Sequence, residues 1–148
     1  MIGLVQKVST ASVIINGQTK RTINRGLVVL LGITSTDTST EVDYVANKVL
    51  TLRLFESNTN NFDLSIQDIQ GDLLLVSQFT LPASVKKGRR PDFTNAAKPE
   101  IAEPLYQSFV DKCKSTITHV ETGEFGADMQ VEIVNDGPVT LIIDSCTA

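Results

Sequence analysis

The chain has no tryptophan, one histidine and two cysteines, and aromatic residues make up only 5% of it. Each scarcity removes a class of chemistry. Cys113 and Cys146 stand far apart with no CxxC spacing, so neither a zinc motif nor a disulfide framework is read, and both are expected as reduced thiols. Any Ser-His-Asp or Cys-His mechanism would have to use His119, and nothing in the sequence ties that imidazole to a nucleophile; it is expected on the surface or at a strand edge. Without ligand spacing there is no transition-metal site to propose, and neither a metal nor a cofactor is expected. Long apolar runs are also missing. The longest, "GLVVLLGI" at 26–33, is far short of the ~18–20 residues that cross a bilayer, and no basic segment leads into an apolar one at the start. The expectation is a cytosolic protein with no membrane partner. Positive charge is not in excess either. A net charge of −4 argues against a protein that coats long stretches of nucleic acid, and DNA is not an expected partner.

The composition that remains, 41% hydrophobic and 20% charged over 148 residues, is that of one soluble domain spanning 1–148. "SVIINGQTKRTI" (12–23) is a hairpin with Asn16-Gly17 at its turn, and "RGLVVLLGI" continues into a buried strand. Thr38 and Glu41 have capping-box spacing, and Val42, Val45, Ala46, Val49 and Leu50 recur as one face of a helix. "FDLSI" alternates like a strand, and "LLLVSQFTL" (73–81) is a mostly buried strand that changes character at Ser77 and stops at Pro82. A second helix carries Leu105, Tyr106, Phe109, Val110 and Cys113, with either Pro99 or Pro104 in its first turn. Then "MQVEIV", an Asn-Asp-Gly-Pro turn and "VTLIID" complete a chain expected to form a mixed α/β domain of about seven strands and two helices.

Four places carry candidate chemistry. In "SQFT", Ser77, Gln78, Phe79 and Thr80 close a strand whose earlier residues are Leu and Val. The polar groups either bond the following loop or line a pocket floor, where unpaired backbone N–H groups meet a substrate oxygen. Thr80 as a nucleophile would lack a visible base. In "GEFGADM", Phe125 and Met129 are either core filler or a platform for a nucleobase. "KKGRR" gathers Lys86, Lys87, Arg89 and Arg90 into a solvated loop or a local phosphate footprint. In "VNDGPVTLII", Asp136-Gly137 suits a tight hairpin turn, yet Pro138 follows at once and has no N–H for the strand that the turn should feed.

Together "SQFTL", "NDGPVT", the "KKGRRPDF" loop and the opening "VQKVSTASV" resemble the D-aminoacyl-tRNA deacylases, formerly called D-tyrosyl-tRNA deacylases, from residue 1 to about 145. The resemblance implies that family's fold and a cytosolic homodimer. It also implies hydrolysis of the ester between a D-amino acid and the terminal ribose of tRNA, with activity on glycyl-tRNA as well. It places Ser77, Gln78, Phe79 and Thr80 in the active site, with backbone N–H groups near Gln78 and Phe79 facing the ester. Gly137-Pro138 is implied to be a cis peptide that enters the partner's pocket, and Phe125 and Met129 to hold the terminal adenine. One departure is visible: Lys7 stands where family members commonly carry Arg, keeping the charge but not the planar fork.

That resemblance suggests a filter working by rejection. Rigid carbonyls of Gly137 and Pro138 close to the substrate Cα would admit hydrogen and clash with an L side chain, whatever its chemistry. Side-chain catalysis is then expected to be sparse, with a positioned water, an oxyanion site and the tRNA 2′-hydroxyl taking its place. The rivals are an acyl-enzyme hydrolase using Thr80, and a non-catalytic module that holds the tRNA end with Lys86, Lys87, Arg89 and Arg90.

Overall fold

Six strands and two helices follow one another in the computed structural model, which describes residues 1–147: β1 (Ile2–Ile15), β2 (Thr19–Ile23), β3 (Gly26–Gly32), α1 (Ser39–Thr51), β4 (Asp72–Ser77), α2 (Pro99–Lys114), β5 (Val120–Thr122) and β6 (Met129–Asp144). They form one mixed sheet in the order β2-β1-β3-β4-β5, with β6 on the other side of β1. The β3–β4 and β4–β5 pairs are parallel, and α1 and α2 supply the long crossovers that parallel neighbours require.

Both faces of the central strands are covered, which is why they are apolar at nearly every position. Leu27, Val29 and Leu31 of β3, with Leu73 and Leu75 of β4, point to the helical side and meet Val45, Val49, Phe109 and Val110. The alternate residues Val28, Leu74 and Val76 point the other way, into a second core built from Val8, Ala11, Val13, Ile15 and Ile23. The sheet curls over this second core. Its two ends nearly meet, because the Arg21 guanidinium on β2 donates to the Thr122 carbonyl on β5 at 2.6 Å.

Several local expectations hold. Asn16 and Gly17 both have positive φ, 50° and 69°, as a two-residue hairpin demands. Thr38 caps α1 through the full capping box with Glu41, and the five expected residues of its inner face are buried. Pro99 takes the first helical position of α2, while Pro104 sits inside the helix, so the choice posed by the sequence is resolved with both prolines helical.

Others need correction. "FDLSI" makes only the isolated Phe55–Leu64 bridge, since the chain enters turns directly after it. The strand expected over 73–81 ends at Ser77, where Gln78 and Thr80 carbonyls begin accepting bonds from Leu81 and Ala83 in successive turns. The Asn-Asp-Gly-Pro segment is not a hairpin turn. Its two flanks both pair antiparallel with β1, Asn135 opposite Val8 and Thr140 opposite Gln6, so the chain never reverses and the extra residues bulge outward. This merging of two expected strands into β6, the loss of "FDLSI" and the addition of short β5 bring the expected seven strands to six.

His119 lies at the exposed edge just before β5. Its Nδ1 is 3.0 Å from the Asp72 carboxylate at the start of β4, and Nε2 is 3.4 Å from Glu121. The hydrogen bond with Asp72, aided by Glu121, raises the imidazole pKa above its usual 6.5. A raised folded pKa gives stability that is complete below about 6.5 and is lost as pH rises through the folded value. Urea denaturation of the wild type is therefore expected to show a lower midpoint at pH 8 than at pH 6, and His119→Gln to flatten that difference. An unchanged difference in the variant would assign the pH dependence to other groups.

Candidate active site

The parallel strands β3, β4 and β5 end on the same side of the sheet, and the carboxyl ends of such strands are where open α/β sheets leave a crevice. A cavity of about 540 Å³ opens there. Leu31, Val76, Ser77 and Gln78 form its floor, the start of α2 contributes Pro99 and Ala102, and Phe125, Ala127, Met129 and Val131 close the far side.

The floor owes its shape to the way β4 stops. The β3–β4 ladder runs one residue beyond the strand, so the Gln78 N–H donates to the Leu31 carbonyl at 2.8 Å. That donor is therefore occupied, contrary to the expectation from resemblance. The chain then turns away, and no acceptor among the described residues takes the N–H of Phe79 or Thr80. Gly32 permits the turn. A Cβ there would sit 2.7 Å from Leu81 Cβ and 2.9 Å from Pro82 Cδ.

No side chain of the floor is a strong base, and the one carboxylate among the cavity-lining residues is that of Asp128, on the far side beside Met129. The Thr80 hydroxyl accepts from the Gln78 amide at 2.6 Å, and Thr80 lies just outside the cavity lining. His119 is bonded to the first residue of β4 whereas the cavity is at its last, roughly 16 Å away at ~3.3 Å per residue. The Cys113 thiol is buried, and burial pushes it up to about 12, so it is not a thiolate at neutral pH. Among the described residues no cluster of His, Cys, Asp or Glu has metal-binding geometry.

The far wall is preset by packing. The Phe125 ring lies 6.1 Å from the ring of Tyr106, whose buried hydroxyl donates to the Leu75 carbonyl at 2.9 Å. Met129 Sδ accepts from the Glu124 N–H at 3.4 Å, and Gly123 leaves the room, since a Cβ would stand 2.6 Å from that sulfur.

Gly137 and Pro138 are exposed and lie elsewhere. Their peptide bond is cis. Val131 of the cavity wall pairs with Val13 and Asn135 with Val8, so roughly 16 Å of β1, at ~3.3 Å per residue, separates the cavity from the bulge in the same chain. The bulge is clamped at its base. The Asn135 amide donates to the carbonyls of Lys7 and Val139, each at 3.0 Å, replacing bonds that the ladder loses there. Lys7 is almost fully buried, and its ammonium lies 3.3 Å from Asp136 and 3.2 Å from Glu56, which also accepts from Arg25. The hydrogen bonds of Glu56, to its own backbone N–H and to Lys7, lower its carboxyl pKa. Lys7 thus reaches the residue beside Gly137 as a point charge.

The four loop cations are outside the cavity as well. Lys86, Lys87, Arg89 and Arg90 are exposed around Gly88, and none is in an ion pair among the described residues. The loop is pinched shut by reciprocal backbone bonds between Ser84 and Asp92, 2.8 and 2.9 Å.

The family profile described as D-Tyr-tRNA(Tyr) deacylase matches residues 4–144. The chain belongs to that family. The D-aminoacyl-tRNA deacylase of Clostridioides difficile (strain 630) is 51% identical over 145 residues, covering 98% of this chain and 97% of the relative. Among solved structures, one named "c-Myc DNA Unwinding Element Binding Protein" superposes with a TM-score of 0.93 at 43% identity, covering 98% of this chain and 99% of that one. Another, named "Structural Analysis of a probable eukaryotic D-amino acid tRNA deacylase", has a TM-score of 0.85 at 17% identity, covering 96% and 97%, and shares the fold.

The sequence-expected residues of this D-Tyr-tRNA(Tyr) deacylase family member thus fall into three places. Ser77, Gln78, Phe79, Phe125 and Met129 meet around one cavity, with Thr80 at its rim; Gly137 and Pro138 form a separate projection; the four cations occupy a third site. Sequence reasoning missed Asn135, although it opens the "NDGP" string, and missed Gly32 and Gly123, which set floor and wall. Asn135→Ala is expected to lower stability by about 1 kcal/mol, the scale of the hydrogen bonds it removes. It should also speed hydrogen exchange at Gly137 and Val139. Urea denaturation and amide exchange measure both, and an unchanged exchange rate would show that the clamp does not hold the bulge.

Proposed function

We propose that the chain is a hydrolase that cleaves the ester of D-aminoacyl-tRNA, and of glycyl-tRNA, releasing free tRNA and amino acid in the cytosol. The observation that carries the reading is the pair of N–H groups on Phe79, which lines the cavity, and Thr80 beside it, neither with an acceptor among the described residues, at a cavity whose lining holds no histidine, cysteine or lysine and one carboxylate, Asp128. An aminoacyl ester is already activated. What it needs is a water in place and donors for the oxygen that becomes negative, and one such donor contributes ~2.7–4 kcal/mol to the transition state. In this reading the Phe79 and Thr80 amides are those donors, Ser77 and Gln78 shape the floor, and Phe125 and Met129 receive the terminal adenine. The tRNA 2′-hydroxyl positions the water.

A second copy of the chain completes the site. The Gly137-Pro138 projection is roughly 16 Å along the strand from its own cavity, so a filter built on it acts on another subunit. Support for a homodimer comes from β6 itself. It is a 16-residue edge strand with exposed Val134, Leu141 and Ile142, the kind of edge that monomers protect. Within the pocket the Gly137 and Pro138 carbonyls crowd the substrate Cα and reject L side chains, while glycine passes.

The four loop cations hold tRNA phosphates near the acceptor end. One solved relative is named for binding a DNA unwinding element. Here the net charge of −4 and a basic footprint confined to one loop support contact with a nucleic-acid end over coating of a duplex.

The test is hydrolysis of D-tyrosyl-tRNA and L-tyrosyl-tRNA, with mass spectrometry of the protein. Release of D-tyrosine alone is expected, and Thr80→Ala is expected to keep most of the rate. A covalent acyl group on Thr80, with complete loss in Thr80→Ala, would instead establish the acyl-enzyme route.

A mixing experiment addresses the dimer. Gly137 has φ of 116°, and a Cβ there would lie 2.8 Å from Val139 Cγ2, so Gly137→Ala must deform the projection. A Gly137→Ala chain and a chain whose cavity is plugged by Ala127→Trp are each expected to be inactive alone. Mixed as verified heterodimers, they should regain one working site. No recovery would place cavity and projection in the same subunit.

A further inference from the structure

Two phenylalanines stand in the open between the cavity and the cationic loop. Phe79 is 61% and Phe93 40% exposed, yet their ring centroids are only 5.2 Å apart, tilted by 57°. Neither ring belongs to either hydrophobic core. Phe79 lines the cavity mouth, while Phe93 stands at the foot of the loop that carries Lys86, Lys87, Arg89 and Arg90.

The Phe93 backbone is held from both sides. Asp92 exchanges two backbone bonds with Ser84, its carboxylate accepts from the Thr94 N–H at 2.9 Å, and the Phe93 carbonyl accepts from the Ala96 N–H at 2.9 Å. An exposed aromatic pair on a fixed backbone presents a ready face at little entropic cost. Base stacking on such faces tolerates any base, and combined with neighbouring cations it is the usual way to hold a single strand.

We propose that Phe79 and Phe93 form a stacking platform for the nucleobase that precedes the terminal adenosine. The site then grips at least two nucleotides of a single-stranded RNA 3′ end. The inference rests on the deacylase reading above and extends it by one subsite. Three surfaces follow in order from the inside outward: an apolar cavity for the esterified nucleoside, an aromatic pair for the next base, and the exposed loop cations for the phosphates beyond. The charge of the adjoining loop selects a polyanion as the occupant of the pair over a second copy of this acidic chain.

The experiment compares D-tyrosyl-tRNA with D-tyrosyl-adenosine, which has no preceding nucleotide. Phe93→Ala is expected to raise KM for the tRNA roughly 5- to 150-fold at nearly constant kcat, the equivalent of ~1–3 kcal/mol of stacking per base. Its effect on the adenosine ester should be at least about tenfold smaller. Phe93→Trp should restore the tRNA KM, and a tRNA abasic at the penultimate position should reproduce the defect with wild-type protein and show no further loss with Phe93→Ala.

An unchanged KM for tRNA would overturn the platform. So would equal losses on both substrates, above all with a change in sedimentation mass, which would make the pair a contact between subunits. Wild-type protein inactive on both esters would overturn the parent reading and the subsite with it, a result distinct from activity that Phe93→Ala leaves untouched.

Discussion

β6 is hydrogen-bonded to β1 along nearly its whole length, and this one ladder has to meet two demands at once. Its first half carries Met129 and Val131 into the cavity wall, and its second half carries the Gly137-Pro138 projection. Because both halves pair with the same strand, the distance between wall and projection is a fixed number of strand residues. The bulge takes its extra residues out of the ladder without breaking the alignment on either side. A continuous strand with a protrusion can be rigid where a free hairpin would sway, and here the Asn135 amide and the Lys7 ammonium supply the bracing.

The cavity depends on a comparable economy. Its floor is produced by a parallel strand that runs out one residue after its last regular pair, leaving successive N–H groups at the point where the chain turns. Exposed main-chain donors of this kind do not titrate. Such donors bring no titration of their own to the cavity, whose lining includes one carboxylate, that of Asp128. Two other reactive side chains stand apart from the cavity: His119 is engaged at the far end of β4, and Cys113 is buried and neutral.

Much of the fold was legible because it is encoded locally. Asn16-Gly17 specifies its hairpin, Thr38 and Glu41 specify the start of α1, and the apolar residues of the stretches 26–33 and 73–81 announce buried strands. The errors arose where a local signal is compatible with two long-range outcomes. Asp136-Gly137 supplies the positive φ of a turn equally well to a hairpin and to a bulge, and only the identity of the partner strand separates them. The alternation of "FDLSI" lacked a partner. For the site, residue types alone marked "SQFT" as polar at the end of an apolar strand, but the meeting of Ser77, Phe125 and Met129 around one cavity is a tertiary fact that was anticipated only through resemblance. Phe93 was passed over because the cations beside it dominated the reading of its loop.

The β1–β6 ladder also imposes an order on the life of the chain. The strand made first is completed by the strand made last, with more than a hundred residues of the other elements in between. During synthesis β1, β2 and β3 can pair by neighbouring turns, yet one edge of β1 stays open until β6 arrives. Such distant pairings are slow to form, and an unfilled edge is a template for other chains. The final closure that creates the projection and the cavity wall thus also covers the open edge of β1 and passes the edge position to β6.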